Sequence, residues 1–92
     1  MDEELFRKFL RKKGKKADVA ERNILVAMNF NEFLLSERNH DLSGVTKEDI
    51  DVFVEKLESE KKSAKGTLYV LMNYFNFTGN EEILRHTIKT IR

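Results

Sequence analysis

The segment EKKSAKGTLYVLMNYFNFTGN, residues 60–80, combines lysines at its start with polar side chains at helical spacing. Lysines beside the free amides of a helix N-terminus can bind phosphate. Asparagine can hydrogen-bond an adenine edge, and tyrosine can reach a phosphate or sugar. Three-to-four spacing predicts one polar flank, formed by Lys62, Lys65, Tyr69, Asn73 and Asn76. A packing flank is formed by Leu68, Leu71, Met72 and Phe75. The alternative is that the asparagines merely keep one solvent face polar.

A second group of cations lies between residues 5 and 16, which contain seven Lys or Arg residues and no acid. Residues 41–60 instead contain seven acids and two cations. The net charge of +1 predicts no polyanion partner by itself, but this asymmetry creates a positive end that attracts phosphate. Lysine runs also occur as simply solvated surface. A phosphate-binding role requires this group to join the lysines that begin the 60–80 segment.

Residue types that could catalyse a reaction are few. The chain has no cysteine, which excludes disulfides, zinc-thiolate sites and cysteine nucleophiles. His40 and His86 have no partner at metal-ligand spacing, no glycine-rich phosphate loop occurs, and no serine has an activating arrangement. We expect the carboxylates of the third helix to lie in solvent with ordinary pKa values. The sequence therefore predicts no enzyme activity, no cofactor and no metal.

The length of 92 residues predicts one small domain with a single core, covering residues 1–92. Apolar residues make up 40% and charged residues 36%, a mixture typical of a compact helical domain. No apolar run approaches the roughly 20 residues that span a bilayer, and MDEEL does not begin a signal peptide. We therefore expect a cytoplasmic protein without a membrane partner. The last helix reaches Arg92 without a stop signal, so the chain either ends there or is the N-terminal fragment of a longer protein.

Hydrophobic periodicity predicts five helices joined by short turns. Their expected ranges are residues 3–13, 18–38, 45–57, 64–77 and 80–92. The expected N-caps are Asp18 with Glu21, Thr46 with Asp49, Ser63 and Asn80, and the expected stops are Gly14 and Gly79. Residues 39–44 have turn composition. A buried strand is the alternative for residues 68–77, but the length of the segment and the lack of a partner strand favour a helix.

The order of these segments resembles the N-terminal core-binding domain of tyrosine recombinases, the phage-integrase type. The resemblance spans about residues 5–84. It depends on NFNEFLL in the long second helix, on the T-x-x-D-I start within VTKEDIDVFVEKL, and on SAKGTLYVLMNYFNF with its paired aromatics. It implies an all-α, SAM-like bundle of four to five helices. The family's catalytic half is missing from these residues, and Met72 and Asn73 stand where the family often has an arginine.

In that family the second and fourth helices face the major groove, and a separate catalytic domain closes the clamp around DNA. The resemblance implies a non-catalytic module of DNA recombination that binds double-stranded DNA, with a C-terminal domain or protein partner in a longer chain. Resemblance and charge together predict the DNA-contacting residues Lys12, Lys13, Lys15, Lys16, Arg22, Lys62, Lys65, Thr67, Tyr69 and Asn73. The alternative is a protein-interaction domain without DNA binding, with an exposed apolar patch that includes Ile88 and Ile91.

Overall fold

The computed structural model describes residues 1–92 and contains helices only. Its elements are α1 (Glu3–Lys12), α2 (Ala17–Phe33), a π-helical turn (Leu34–Arg38), a 3₁₀ turn (Leu42–Gly44), α3 (Lys47–Ser59), α4 (Ala64–Thr78) and α5 (Glu81–Ile91). The all-α prediction is confirmed, and the alternative of a strand at residues 68–77 is wrong. None of these helices combines the length and the apolar character that crossing a bilayer requires.

The core is a single cluster to which all five helices contribute a buried apolar face. Phe6 of α1 is fully buried, and its ring centroid lies 5.2 Å from those of both Tyr74 and Phe77 on α4. The ring centroids of Phe30 on α2 and Phe53 on α3 are 4.9 Å apart. Burying one such side chain stabilises the fold by roughly 1.5–3 kcal/mol, so these aromatic contacts hold α1 against α4 and α2 against α3.

Hydrogen bonds at the helix starts confirm two predicted N-caps. The Thr46 hydroxyl accepts a bond of 3.2 Å from the Asp49 amide, and the Asp49 carboxylate accepts one of 2.8 Å from the Thr46 amide. The Asn80 side chain accepts a bond from the amide of Ile83. Ser63 occupies the N-cap position of α4 as predicted, although its side chain makes no capping bond. Local spacing is sufficient for these caps because both partners lie within one turn.

The predicted capping box at the start of α2 is wrong. The N-cap is Lys16, whose side chain makes no capping bond, and α2 begins at Ala17. Glu21, the expected partner of Asp18, instead accepts bonds of 2.6 and 3.0 Å from the guanidinium of Arg7 on α1. The hydrogen bond from Arg7 lowers the pKa of the Glu21 carboxyl against the opposing effect of desolvation. A guanidinium on another helix, which donates to both carboxylate oxygens of Glu21, thus takes the place of the predicted local partner.

The end of the second helix differs from the regular helix that was predicted to reach Arg38. Its last turn is π-helical, and Asn39 follows in the left-handed conformation with φ 61°. The turn after it is anchored to the core because Leu42 is buried and its amide donates a 3.0 Å bond to Asn31 of α2. A π turn holds one residue more than an α turn, so the residues after it are displaced relative to a regular helix.

Candidate nucleic-acid interface

An exposed run of cations connects the end of α1 to the start of α2. Of the seven cations between residues 5 and 16, only Arg7 forms an ion pair, with Glu4 and Glu21. The other six are exposed and have no ion pair with any carboxylate. They are Lys8, Arg11, Lys12, Lys13, Lys15 and Lys16, and are called the α1–α2 patch below. Unpaired cations this close together repel one another and therefore favour an anion.

A second cationic region surrounds the start of α4. Lys62 and Lys65 are both exposed, and only Lys62 has an acidic neighbour, Glu60 at 3.5 Å. Further along the predicted polar flank, Tyr69 is 48% exposed and Asn76 is exposed, whereas Thr67, a predicted DNA contact outside that flank, is half-buried. The opposite flank packs as predicted, since Leu68, Leu71 and Phe75 are buried and Met72 is half-buried. The division of α4 into a packing side and a polar side is therefore confirmed.

Asn73, also on the polar flank, makes a contact that the sequence did not predict. Its side-chain nitrogen donates a 3.0 Å hydrogen bond to the side-chain oxygen of Asn23 on α2. Asn23 is only 3% exposed and in turn donates a 2.8 Å bond to the carbonyl of Val19. This chain of amides joins α4 to the first half of α2. Asn73 thus has a role in helix packing, beside its predicted role as a DNA contact.

Replacement of Asn73 by alanine tests the packing role. We expect Asn73→Ala to lower the free energy of unfolding by about 1–2 kcal/mol, because the buried oxygen of Asn23 loses its donor. Urea denaturation at pH 7 measures the change. Asn76→Ala, on the same flank but exposed, is the matched control and should change stability by less than about 0.5 kcal/mol. Equal stability of both variants would contradict the packing role.

The prediction of a phosphate-binding role required the two cationic regions to form one cluster. They do not form one. Lys16 precedes Asn23 by seven residues, about 10 Å along α2. Lys62 and Thr67 instead border a groove beside Val26 and later residues of α2, beyond Asn23 in the other direction. Lys65 shares a second groove with the ends of α3 and α5. The contact between α2 and α4 therefore separates two cationic surfaces. The sequence could not reveal this because it does not determine where the helices cross.

Asp49 was predicted only as a capping residue, but it is also the centre of a buried ionic cluster. Asp51, Glu55 and Glu58 are exposed as predicted for α3, but Asp49 is fully buried. Its carboxylate accepts a 2.8 Å hydrogen bond from Arg38 and lies 3.0 Å from the imidazole of His40. The expectation that all α3 carboxylates lie in solvent is therefore wrong. Arg38 and His40, at and just after the π turn, pack over the start of α3 and bury this carboxylate.

The environment of Asp49 is that of a stabilised anion. Burial acts to raise its pKa, but the hydrogen bonds from Arg38 and Thr46 and the charge of His40 together lower it below its usual value. Because Asp49 has no exposed surface, its carboxylate serves to hold helix ends together and does not itself face solvent. No group of three or more His, Asp or Glu side chains could hold a metal ion.

Exposed apolar side chains lie on α2 and not where the protein-interaction alternative expected them. Ile88 and Ile91 are half-buried, and Ile91 packs against the core. On the outer face of the second helix, Leu25 is 59%, Met28 40% and Leu35 54% exposed. The expectation of an uncovered patch at Ile88 and Ile91 is wrong, and the exposed apolar residues include Leu25 and Met28 of α2, Leu35 of the π-helical turn and Leu5 of α1.

No protein-family model, curated protein or solved structure matches this chain. The resemblance to the core-binding domain of tyrosine recombinases therefore stays a prediction from the sequence. Function is inferred from the two cationic surfaces and the polar flank of α4.

Proposed function

We propose that this domain is a non-catalytic DNA-binding module that holds duplex DNA mainly through its phosphates. The α1–α2 patch is the observation that carries the proposal. Its six cations are exposed and have no carboxylate partner, although Arg7 on the same helix pairs with Glu4 and Glu21. A surface with unpaired cations over two turns of helix and a connecting loop is suited to a polyanion, because phosphate contacts release condensed counterions.

The joined cluster that the sequence predicted is not formed, so the proposal involves two separate cationic surfaces, which suit an extended duplex better than a small anion. The α1–α2 patch and the lysines that begin α4 lie on either side of the contact between Asn23 and Asn73. Duplex DNA carries phosphates along its whole length, so two separated cationic surfaces can contact different phosphates of one duplex. We include the exposed Arg22 and Tyr69 and the half-buried Thr67 among the proposed contacts. The module resembles one jaw of an integrase clamp, acting in the cytoplasm on DNA during recombination.

Base recognition in this arrangement is weak. The side-chain nitrogen of Asn73 uses one of its two N–H groups on Asn23, and the side chain is half-buried, so this contact fixes the amide and restricts its approach to a base edge. Recognition of adenine by asparagine requires both the donor and the acceptor of the amide. Lysine contacts to phosphate position a protein without reading sequence. The proposal therefore includes similar affinity for duplexes of different sequence.

The salt dependence of binding tests the proposal. With about five lysine–phosphate contacts, the slope of log affinity against log salt is about −4.5, and affinity falls roughly 500-fold between 50 and 200 mM salt. Fluorescence anisotropy with two labelled duplexes of unrelated sequence measures both the slope and the preference. A slope near zero, or no binding at 50 mM salt, would remove the phosphate-based proposal.

A protein-interaction domain is the second candidate, and the exposed Leu25, Met28 and Leu35 favour it. Leu25 and Met28 lie one turn apart and Leu35 follows two turns later, and a partner helix or a second copy would cover them. Light scattering at two protein concentrations, with and without duplex, separates the two functions. A mass that doubles at the higher protein concentration and does not change when DNA is added supports the protein-interaction domain. A monomer whose mass increases by that of one duplex supports the DNA-binding module.

A further inference from the structure

A cavity of about 420 Å³ lies between α2, the 3₁₀ turn and the second half of α4. Asn31, Asp41 and Ser43 contribute polar atoms to its lining, and Leu42 and Phe75 contribute apolar surface. Its volume is within the range of small-molecule sites, which combine apolar walls with a few polar groups. No lysine or arginine lines the cavity, so it is distinct from both cationic surfaces.

Tyr74 contributes a buried polar group to this cavity. The residue is only 6% exposed, and its ring is fixed edge-on against Phe6 and Phe75, with centroids 5.2 and 5.7 Å away. Its hydroxyl makes no hydrogen bond with any other group of the chain. Because no polar side-chain atom without a partner is fully enclosed, this hydroxyl reaches the cavity that Tyr74 lines. Buried hydroxyls normally have a partner, so this one is available to a ligand.

Asp41 contributes the one charged side chain among the lining residues. Its Oδ1 atom accepts a 2.9 Å bond from the Ser43 amide and a second bond from the Ser43 hydroxyl, which together fix the carboxylate. These bonds lower the pKa of Asp41, so the carboxylate is ionised at neutral pH. Its Oδ2 atom has no hydrogen bond, and Asp41 has no ion pair. The cavity therefore offers a fixed carboxylate oxygen to a cationic donor.

The chemistry of the lining favours an organic cation over a metal ion. Burial raises the pKa of Tyr74, and the negative charge of Asp41 raises it further, so the phenol is neutral at pH 7. One carboxylate is too few charged ligands for a metal site, and no group of three or more His, Asp or Glu side chains could hold one. An organic ammonium ion requires one counter-charge, hydrogen-bond acceptors and apolar surface. The phenol oxygen and the free oxygen of Asp41 are such acceptors.

We propose that this cavity binds a small organic ammonium ion. The N–H groups of the ligand donate to the carboxylate of Asp41 and the hydroxyl of Tyr74, and its apolar body lies against Leu42 and Phe75. The inference does not depend on the proposed DNA binding, because no residue of either cationic surface takes part in it.

NMR titration with a matched pair of probes tests the site. Benzylammonium and benzyl alcohol have the same apolar body and differ in charge. We expect benzylammonium to bind at low salt with a dissociation constant on the order of 1 mM, as suits a ligand of this size. Benzyl alcohol should bind about 10-fold more weakly, because it lacks the charge-assisted bond to Asp41. Shifts of the backbone amide signals of Leu42, Ser43 and Asn80 locate the bound probe at the cavity.

Two single substitutions test the individual contacts. Asp41→Asn keeps the turn, because the asparagine oxygen still accepts the bond from the Ser43 amide. It should weaken benzylammonium binding about 10-fold and leave benzyl alcohol binding unchanged. Tyr74→Phe removes a hydroxyl that bonds nothing else in the chain, so the melting temperature should stay within about 2 °C of the parent's. Benzylammonium should bind this variant about 5-fold more weakly.

The matched control for charge is Asp51→Asn, which removes an exposed carboxylate outside the cavity and should leave benzylammonium affinity unchanged. Equal affinity for the two probes, or equal weakening by Asp41→Asn and Asp51→Asn, would overturn the inference. Unchanged benzylammonium affinity of Tyr74→Phe, or a large fall in its melting temperature, would show that the hydroxyl serves the fold only. If benzylammonium well above 1 mM shifts no signal of Leu42 or Ser43, the site is excluded, whether or not the domain binds DNA.

The same ammonium group ends the side chain of a lysine, so the ligand is either a free amine or a lysine of a partner protein. A capped tripeptide with a central lysine distinguishes these sources. Both outcomes support the ammonium site. Tighter binding of the tripeptide than of benzylammonium assigns the cavity to a partner's lysine, and weaker binding assigns it to a free amine.

Discussion

Reversing the charges of Lys62 and Lys65 together is expected to weaken duplex binding by about 100-fold or more at 100 mM salt. Each lost phosphate contact accounts for roughly 8-fold at this salt concentration, and the introduced glutamates add repulsion from the backbone. Both side chains are exposed and neither packs in the core, so the fold of Lys62→Glu/Lys65→Glu should be intact. Anisotropy titration measures affinity, and circular dichroism with a urea transition measures folding.

The matched control has the same change in net charge at a distant site. Lys47 and Arg85 are exposed and lie at the starts of α3 and α5, where they pair with the exposed Glu82 and Glu81. The double variant Lys47→Glu/Arg85→Glu therefore lowers net charge equally, far from the beginning of α4. Its affinity should fall only by the small amount due to overall charge. Equal loss of binding in both double variants would show that net charge alone, and no particular surface, attracts DNA.

The largest effect on stability is expected from Asp49→Asn, which we predict to lower the free energy of unfolding by about 2–3 kcal/mol at pH 7. Asparagine can still accept the hydrogen bond from the Thr46 amide. The oxygen that faces Thr46 also faces His40, so the amide nitrogen takes the other position and presents a donor where Arg38 requires an acceptor, and the negative charge beside Arg38 and His40 is lost. A urea transition with an unchanged m value measures the loss. Asp51→Asn, which removes an exposed carboxylate paired with His86, is the control and should cost about 0.5 kcal/mol or less.

The Asp49 carboxylate also makes the free energy of unfolding depend on pH. The pKa of Asp49 is lower in the folded state than the ordinary value of 3.8, so the folded state holds the anion more firmly than the unfolded state. Its contribution is therefore complete above the unfolded-state pKa and is lost as pH falls through the lower folded-state value. The difference in stability between parent and Asp49→Asn should shrink below about pH 4. A difference that grows on acidification would contradict the ionised state of Asp49.

Features that depend on neighbouring residues in the chain could be predicted from the sequence. The capping box of Thr46 and Asp49 and the stops at Gly14 and Gly79 involve hydrogen bonds within one or two turns. The packing flank of α4 follows from helical spacing alone. Fold class, four of the five helix starts and the exposed faces of α3 and α4 were therefore accessible without a structure.

Only the tertiary structure decided which polar groups meet across helices. The bond from Asn73 to Asn23 joins residues 50 positions apart, and the Arg7–Glu21 pair replaced a local cap that the sequence pattern favoured. Burial of Asp49 depends on where the π turn directs Arg38. The two lysine groups likewise became separate surfaces because of the position at which α2 contacts α4. Helix periodicity determines which side of each helix packs, but the crossing of two helices depends on the shapes of all the side chains between them.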